Sequence, residues 1–273
     1  MGRHTGGSKA ARSLRRMAVA GAVTALASTN PLANAEPSEQ AQPRVLGGTS
    51  SSTDAAPWAV ALTDTYGNHF CGGTLVSAGE VVTAAHCAVD PLTGAQRSAE
   101  DIQVVAGRTD LRSTQGTVGS VQDVWVHPEY RDITSGDDLA VLSLSEPMPQ
   151  RPLPMVEPGD TEAYAPGTTA RVYGWGRTSE NGPSSDTLRS VDVPINADDS
   201  CKSAYANYDE RSMFCAGYPE GGKDACAGDS GGPIVADGKL IGVVSYGTGC
   251  GRPGTPGVYT RLANYVPLAN DLP

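Results

Sequence analysis

Gly228-Asp229-Ser230-Gly231-Gly232-Pro233 sets one hydroxyl and one carboxylate in a run otherwise made of turn-forming residues. At average residue usage such a string matches by chance in roughly one of ten million windows, so an ordinary glycine-rich turn explains it poorly. A serine hydroxyl is a weak nucleophile at neutral pH. Hydrolysis through it needs a base within hydrogen-bond reach, an acid that orients the base, and donors for the developing oxyanion.

Gly228-x-Ser230-x-Gly232 also fits the nucleophile elbow of the α/β-hydrolases, which would make the chain an esterase or lipase. In that fold the histidine follows the serine. Here His4, His69, His86 and His127 all precede Ser230, so the elbow reading fails for want of a base. His4 falls in a basic leader and His127 precedes Pro128 at a strand end. His86, in Thr83-Ala84-Ala85-His86-Cys87, ends an apolar strand beside a cysteine and is the expected general base. The acid should be buried against it so as to hold one imidazole tautomer. Asp138, immediately before Leu139-Ala140-Val141-Leu142, is preferred to its neighbour Asp137.

Around these residues the texture is that of an all-β protein: 33 Gly, 20 Pro, and short Val-, Thr- and Tyr-rich runs between turns. Strands are expected over 58–63, 70–76, 81–84, 102–106, 121–126 and 139–144. A Pro-, Glu- and Gly-rich crossing at 145–167 precedes a second set over 170–174, 190–194, 213–216, 233–235, 240–245 and 257–260. Residues 262–269 could form a short helix, which Pro267 disfavours. Two β domains of similar size result.

The beginning of the chain differs. Basic residues up to Arg16, the apolar run Met17 to Ala27 and Ala33-Asn34-Ala35 predict a signal peptide over 1–35. The run is shorter than the roughly 18 apolar residues a membrane span needs. A polar propeptide over 36–44, ending in Pro43-Arg44, follows. Of 20 basic and 30 acidic side chains, six and two lie before Val45, leaving the remainder at −14. That charge argues against nucleic acid as a partner and favours solubility and cationic substrates. Six cysteines in an exported chain predict three disulfides among fifteen possible pairings. Their spacing does not suit a metal site.

Arg44-Val-Leu-Gly-Gly, Thr-Ala-Ala-His86-Cys, Asp138-Leu-Ala-Val-Leu and Gly-Asp-Ser230-Gly-Gly-Pro together resemble the trypsin-like serine proteases of the chymotrypsin family. The order His, Asp, Ser agrees. The resemblance runs from residue 44 to about 266. It implies two six-stranded antiparallel Greek-key β-barrels, 45–157 and 158–273, a short C-terminal helix, and an active site between the barrels. It implies the triad His86, Asp138 and Ser230, an oxyanion hole from the N–H groups of Gly228 and Ser230, and disulfides Cys71–Cys87, Cys201–Cys215 and Cys226–Cys250.

It further implies a substrate pocket formed by Asp224, Ala225, Ser245, Tyr246, Gly247 and Gly257, with Asp224 at its base selecting Arg or Lys. Ala225 replaces a frequent serine hydroxyl, which favours Arg over Lys. Tyr246 and Ala227 depart from the usual Trp and Gln and leave extended preferences open. The loop 107–116 carries Arg108 and Arg112 without a calcium-binding carboxylate set. No metal or cofactor is expected. Cleavage after Arg44 would free the Val45 amine to pair with Asp229, and His69 would hold Asp229 beforehand. The expected protein is a secreted monomer, free of membranes after processing. It would act on Arg- or Lys-containing proteins and peptides and be open to proteinaceous inhibitors. The alternative is a protease-like binding protein without turnover.

Overall fold

The computed structural model describes residues 46–265. The leader, the propeptide, Arg44, Val45 and the second half of the expected C-terminal helix lie outside the described residues. Within them, Leu262–Asn264 forms one 3₁₀ turn.

Two residues, Thr49–Ser50 (β1), come before the first main sheet. That sheet is a closed barrel of β2 (Ala59–Thr63), β3 (His69–Ser77), β4 (Glu80–Thr83), β5 (Gln103–Ala106), β6 (Thr117–Val126) and β7 (Ala140–Leu144). The strand order is β2-β3-β4-β7-β6-β5, and β5 returns to β2 in antiparallel register from Val60–Ala106 to Thr63–Gln103. All strands are antiparallel. Closure leaves no free edge, which suits short strands. The interior is filled by branched side chains, with Val60, Leu75, Val81, Val104 and Leu142 fully enclosed. Each of the six expected strands is found, extended by a few residues in β3 and β6.

The second sheet contains β8 (Thr169–Gly174), β9 (Arg189–Pro194), β10 (Met213–Ala216), β11 (Pro233–Ala236), β12 (Lys239–Tyr246) and β13 (Gly257–Arg261). Its order is β1-β9-β8-β11-β12-β13-β10. Here the architecture differs from two equal six-stranded barrels. The sheet has seven strands, and its ends meet through one bridged pair, Ile195 with Ala216. Hydrogen bonds from Asn196 N to Cys215 O and from Gly217 N to Pro194 O, both 2.9 Å, flank that pair. The outer edge of β9 is therefore divided. Its end joins β10, while its beginning takes β1, with Thr49 opposite Ser190 and Ser50 opposite Arg189. Covering exposed strand N–H and C=O groups is the physical reason for the seventh strand.

Two short helices were not expected: α1 (Ala85–Ala88), and α2 (Asp198–Ala204) with Asp198 and Asp199 in its first turn. Both are too short to show a helical period. Cys201 on α2 bonds Cys215 on β10, and the other disulfides are Cys71–Cys87 and Cys226–Cys250. Each closes a loop of the unfolded chain.

The two sheets are joined by specific bonds. Met155, in the crossing segment, bridges Leu240, and Leu153 N donates to Leu75 O at 2.9 Å. The Tyr164 hydroxyl, buried beside Phe214, donates to Ile241 O at 2.7 Å and accepts from Ala263 N at 3.0 Å. Tyr164→Phe leaves both backbone groups unpaired in the core, a loss of about 1–3 kcal/mol. In a calorimetric scan its Tm should fall by several degrees, and an unchanged Tm would show that these groups find other partners.

Candidate active site

His86 stands at the head of α1, directly after β4, and Asp138 directly before β7. Because β4 and β7 are neighbours, pairing Thr83 with Ala140, the two side chains emerge from the same barrel rim. Asp138 Oδ2 lies 2.8 Å from His86 Nδ1, and Asp138 Oδ1 accepts the His86 backbone N–H at 2.9 Å. A third donor comes from the other sheet: Ser245 Oγ bonds Asp138 Oδ2 at 2.6 Å. Thr260 Oγ1 reaches the Asp138 carbonyl at 2.7 Å. With Nδ1 donating to the carboxylate, Nε2 of a neutral imidazole is left as the basic nitrogen. Asp137 turns elsewhere. It adopts φ +54° and accepts the Tyr265 hydroxyl at 2.7 Å. His127 lies in that same cluster, 3.9 Å from Asp137 and edge-on to Trp125 and Tyr265.

Ser230 is brought to this pair by β3. Gly72 N donates to Ser230 O at 2.7 Å, and the Cys71–Cys87 disulfide joins the residue before Gly72 to the one after His86. The Ser230 hydroxyl makes no hydrogen bond among the described residues. Such contacts often tighten only when a substrate is bound. Among the described residues the N–H groups of Gly228 and Ser230 also have no acceptor, although Asp229 N between them donates to Cys226 O at 2.9 Å. Gly228 has φ +96°, and a Cβ there would come within 3.0 Å of the Gly176 Cα. Only glycine accommodates that backbone.

A cavity of about 470 Å³ opens beside Ser230. Asp224, Ala225, Ser245, Tyr246, Gly247 and Gly257 all line it, together with Ala227 and Glu180. Asp224 is 2 % exposed. Its Oδ2 accepts Gly251 N at 2.9 Å, while Oδ1 is buried with no partner among the described residues. A Cβ on Gly257 would stand 2.6 Å from that Oδ1. Burial pushes the Asp224 carboxyl up to about 7, against smaller opposite effects of the N–H groups of Gly251 and Ala225. Asp229 is fully enclosed, accepting from Gly176 N at 2.7 Å and Cys226 N at 2.9 Å, and burial pushes it up to about 6.

The expected contact of His69 with Asp229 is not formed in this structure. The two backbone donors occupy Asp229, and His69 packs edge-on to Trp175 with its Nε2 buried and unpartnered. Burial pushes this imidazole down to about 4. In the 107–116 loop, Arg108 Nε donates to Gln115 O at 2.7 Å, and Arg112 pairs with Asp110. Cys71, His86 and Cys87 come close together, but both sulfurs are spent in the disulfide and offer no thiolate to a metal.

Sequence reasoning placed Ser245 only in the pocket wall and did not see its bond to Asp138, 107 residues away in the chain. It also missed Glu180 at the cavity, which pairs with Arg252 at 2.6 Å. Neither has a local sequence signal, because both depend on contacts between distant loops.

The Asp224 carboxyl has a pH signature. Its folded pKa lies above that of the unfolded chain, so its contribution is intact below the unfolded value near 3.8 and is lost as pH rises through about 7. Asp224→Asn, compared with its parent in a Ser230→Ala background, should therefore gain relative stability as pH rises from acid to neutral. Urea midpoints across that range measure the gap; a gap independent of pH would mean that Asp224 is not desolvated.

Comparison with known proteins agrees with this geometry. The trypsin family model matches residues 45–269. The chain is 50 % identical over 221 residues to a trypsin of Saccharopolyspora erythraea, covering 81 % of this chain and 94 % of that one. A trypsin of Squalus acanthias is 40 % identical over 226 residues, with 82 % and 93 % covered. Serine protease 1 of Rattus norvegicus is 37 % identical over 234 residues, with 84 % and 89 % covered. A Ser-bearing loop, a histidine–carboxylate pair and an adjoining cavity thus sit in a fold whose sequence matches over nearly its whole described length: the chain belongs to the trypsin family and is a serine endopeptidase.

Proposed function

We propose that this chain is a secreted endopeptidase that cleaves after Arg or Lys, with Arg favoured, through an acyl-enzyme on Ser230. The observation that carries the specificity is the unpartnered Asp224 Oδ1, buried in the cavity that Ser230 also lines. A buried acceptor without a donor is costly, and a guest cation supplies donor and charge together. Glycines at 247 and 257 leave room for a long side chain. Ala225 contributes no hydroxyl to solvate an ammonium, whereas a guanidinium can offer two parallel donors to a carboxylate.

In this reading His86 takes the Ser230 proton as Oγ attacks the scissile carbonyl, and returns it to the leaving amine. Asp138 holds the imidazole with Nδ1 protonated and stabilises its cation. The free N–H groups of Gly228 and Ser230 receive the oxyanion; one such donor is worth about 3–4 kcal/mol. Water then repeats the sequence on the acyl-enzyme.

Activation by cleavage after Arg44 accounts for Asp229. Its carboxylate is enclosed with two backbone donors and, among the described residues, no cation; the new Val45 amine would supply one. Support comes from Leu46, whose carbonyl accepts Asp224 N at 3.1 Å, so the segment just after the cut already reaches the pocket wall. Pro43-Arg44 suits an Arg-directed cavity, which makes self-activation the expected route. Export is supported by the leader sequence and three disulfides; among the described residues no helix is long and apolar enough to cross a membrane.

Mature protein and its Asp224→Ser variant should be assayed on peptides differing only in Arg, Lys, Phe or Ala before the cut. The parent should cleave after Arg best and Lys next, and the variant should lose most of both. Cleavage after Phe by the parent, with none after Arg, would refute the pocket assignment. Purified Ser230→Ala precursor should remain uncut at Arg44 until active enzyme is added; maturation on its own would exclude self-activation.

A further inference from the structure

Glu180 is the second carboxylate on the wall of the Asp224 cavity, and it reaches that wall from a separate loop. The loop is a tight turn. Arg177 and Ser184 are bridged, Thr178 N donates to Pro183 O at 3.3 Å and Gly182 N to Ser179 O at 3.0 Å, so Glu180 and Asn181 occupy its tip. Its root is held beside the nucleophile, where Arg177 N donates to Ala227 O at 2.8 Å and Gly176 N to Asp229 Oδ1 at 2.7 Å. Its tip is held differently, by an ion pair of 2.6 Å between Glu180 Oε1 and Arg252 Nη2. Among the described residues no other ion pair or hydrogen bond joins 178–183 to 247–254.

Arg252 belongs to the segment that fixes Asp224. Gly251 N donates to Asp224 Oδ2 at 2.9 Å, Gly251 O accepts Gly222 N at 2.8 Å, and the Cys226–Cys250 disulfide ties the preceding residue to the Ser230 loop. Between the two sides lies Gly249, where an added Cβ would meet both Arg252 Nε and Glu180 Oε1. The pair therefore closes directly over the backbone of the cavity wall, to which Glu180, Asn181, Gly249 and Cys250 all contribute.

We propose that Glu180 and Arg252 are a specificity-determining latch: their ion pair holds the 178–183 turn against the segment that fixes Asp224, and so sets how tightly the cavity grips a cationic side chain. This rests on the Arg- or Lys-directed reading of Asp224 given above. A guest gives up water and freedom on entering, and a wall already in place lowers that cost. Charge alone would act otherwise. Glu180 would attract a cationic guest and Arg252 would repel it, so losing one charge or the other would shift binding in opposite directions. A latch makes both losses weaken binding, because either one frees the same turn. The pair is partly exposed, so its effect is modest.

The test measures the competitive inhibition constant of benzamidine, a flat amidinium, against an Arg p-nitroanilide on mature protein at fixed pH. Glu180→Gln and Arg252→Gln should each weaken benzamidine by about two- to fivefold. The double Gln variant should be no weaker than the weaker single one, since the same contact cannot be lost twice. Exchanging the charges, Glu180→Arg with Arg252→Glu, should bind benzamidine more tightly than either of its two components alone. Opposite signs for the two Gln variants, an unchanged constant in either, or losses that add in the double variant overturn the proposal. A charge exchange no tighter than its components overturns it as well. If the wild type instead refuses both benzamidine and the anilide, the Arg- or Lys-directed reading of Asp224 is what fails.

Discussion

The carboxylate of Asp138 is the point on which the two halves of the molecule close. It is 2 % exposed, and a buried carboxylate is tolerated only when its lone pairs are taken up by donors. Two of those donors belong to His86 in the first barrel, and the third is Ser245 Oγ in the second sheet. Thr260, also in the second sheet, bonds the carbonyl of the same residue. One acid thus requires both sheets to be folded and docked before it is satisfied. Orientation of the imidazole and assembly of the cleft become a single structural condition.

That condition explains why some features could be read from the sequence and others could not. The strands were legible because each is a short run of branched residues ended by glycine, proline or a polar turn, and their spacing follows the chain. Ser230 and His86 were legible because their neighbours are unusual and because histidine order excludes the rival fold. Ser245 was placed in the pocket alone, since its bond to Asp138 spans the two sheets and leaves no mark on the residues beside it. The strand β1 was missed for a related reason. Thr49 and Ser50 have no strand pattern of their own and are extended only because the first part of β9 offers an open edge. The helix α2 occupies seven residues, less than the length over which an apolar period can be recognised.

Asp138, Asp229 and Asp224 are all buried, and they differ in how far the fold satisfies them. Asp138 has three donors on its two oxygens, one of them an imidazole. Asp229 has two backbone N–H groups and complete enclosure, and burial lifts its pKa to about 6. Asp224 has one side-chain hydrogen bond, an oxygen without any, and a pKa lifted to about 7. In the proposed mechanism the order of satisfaction matches the order in which each group would acquire a partner: during folding for Asp138, on cleavage of the chain for Asp229, and on binding of a substrate for Asp224. A fold that fully paired all three would be more stable, but it would have no reason to accept a new N-terminus or a cationic guest.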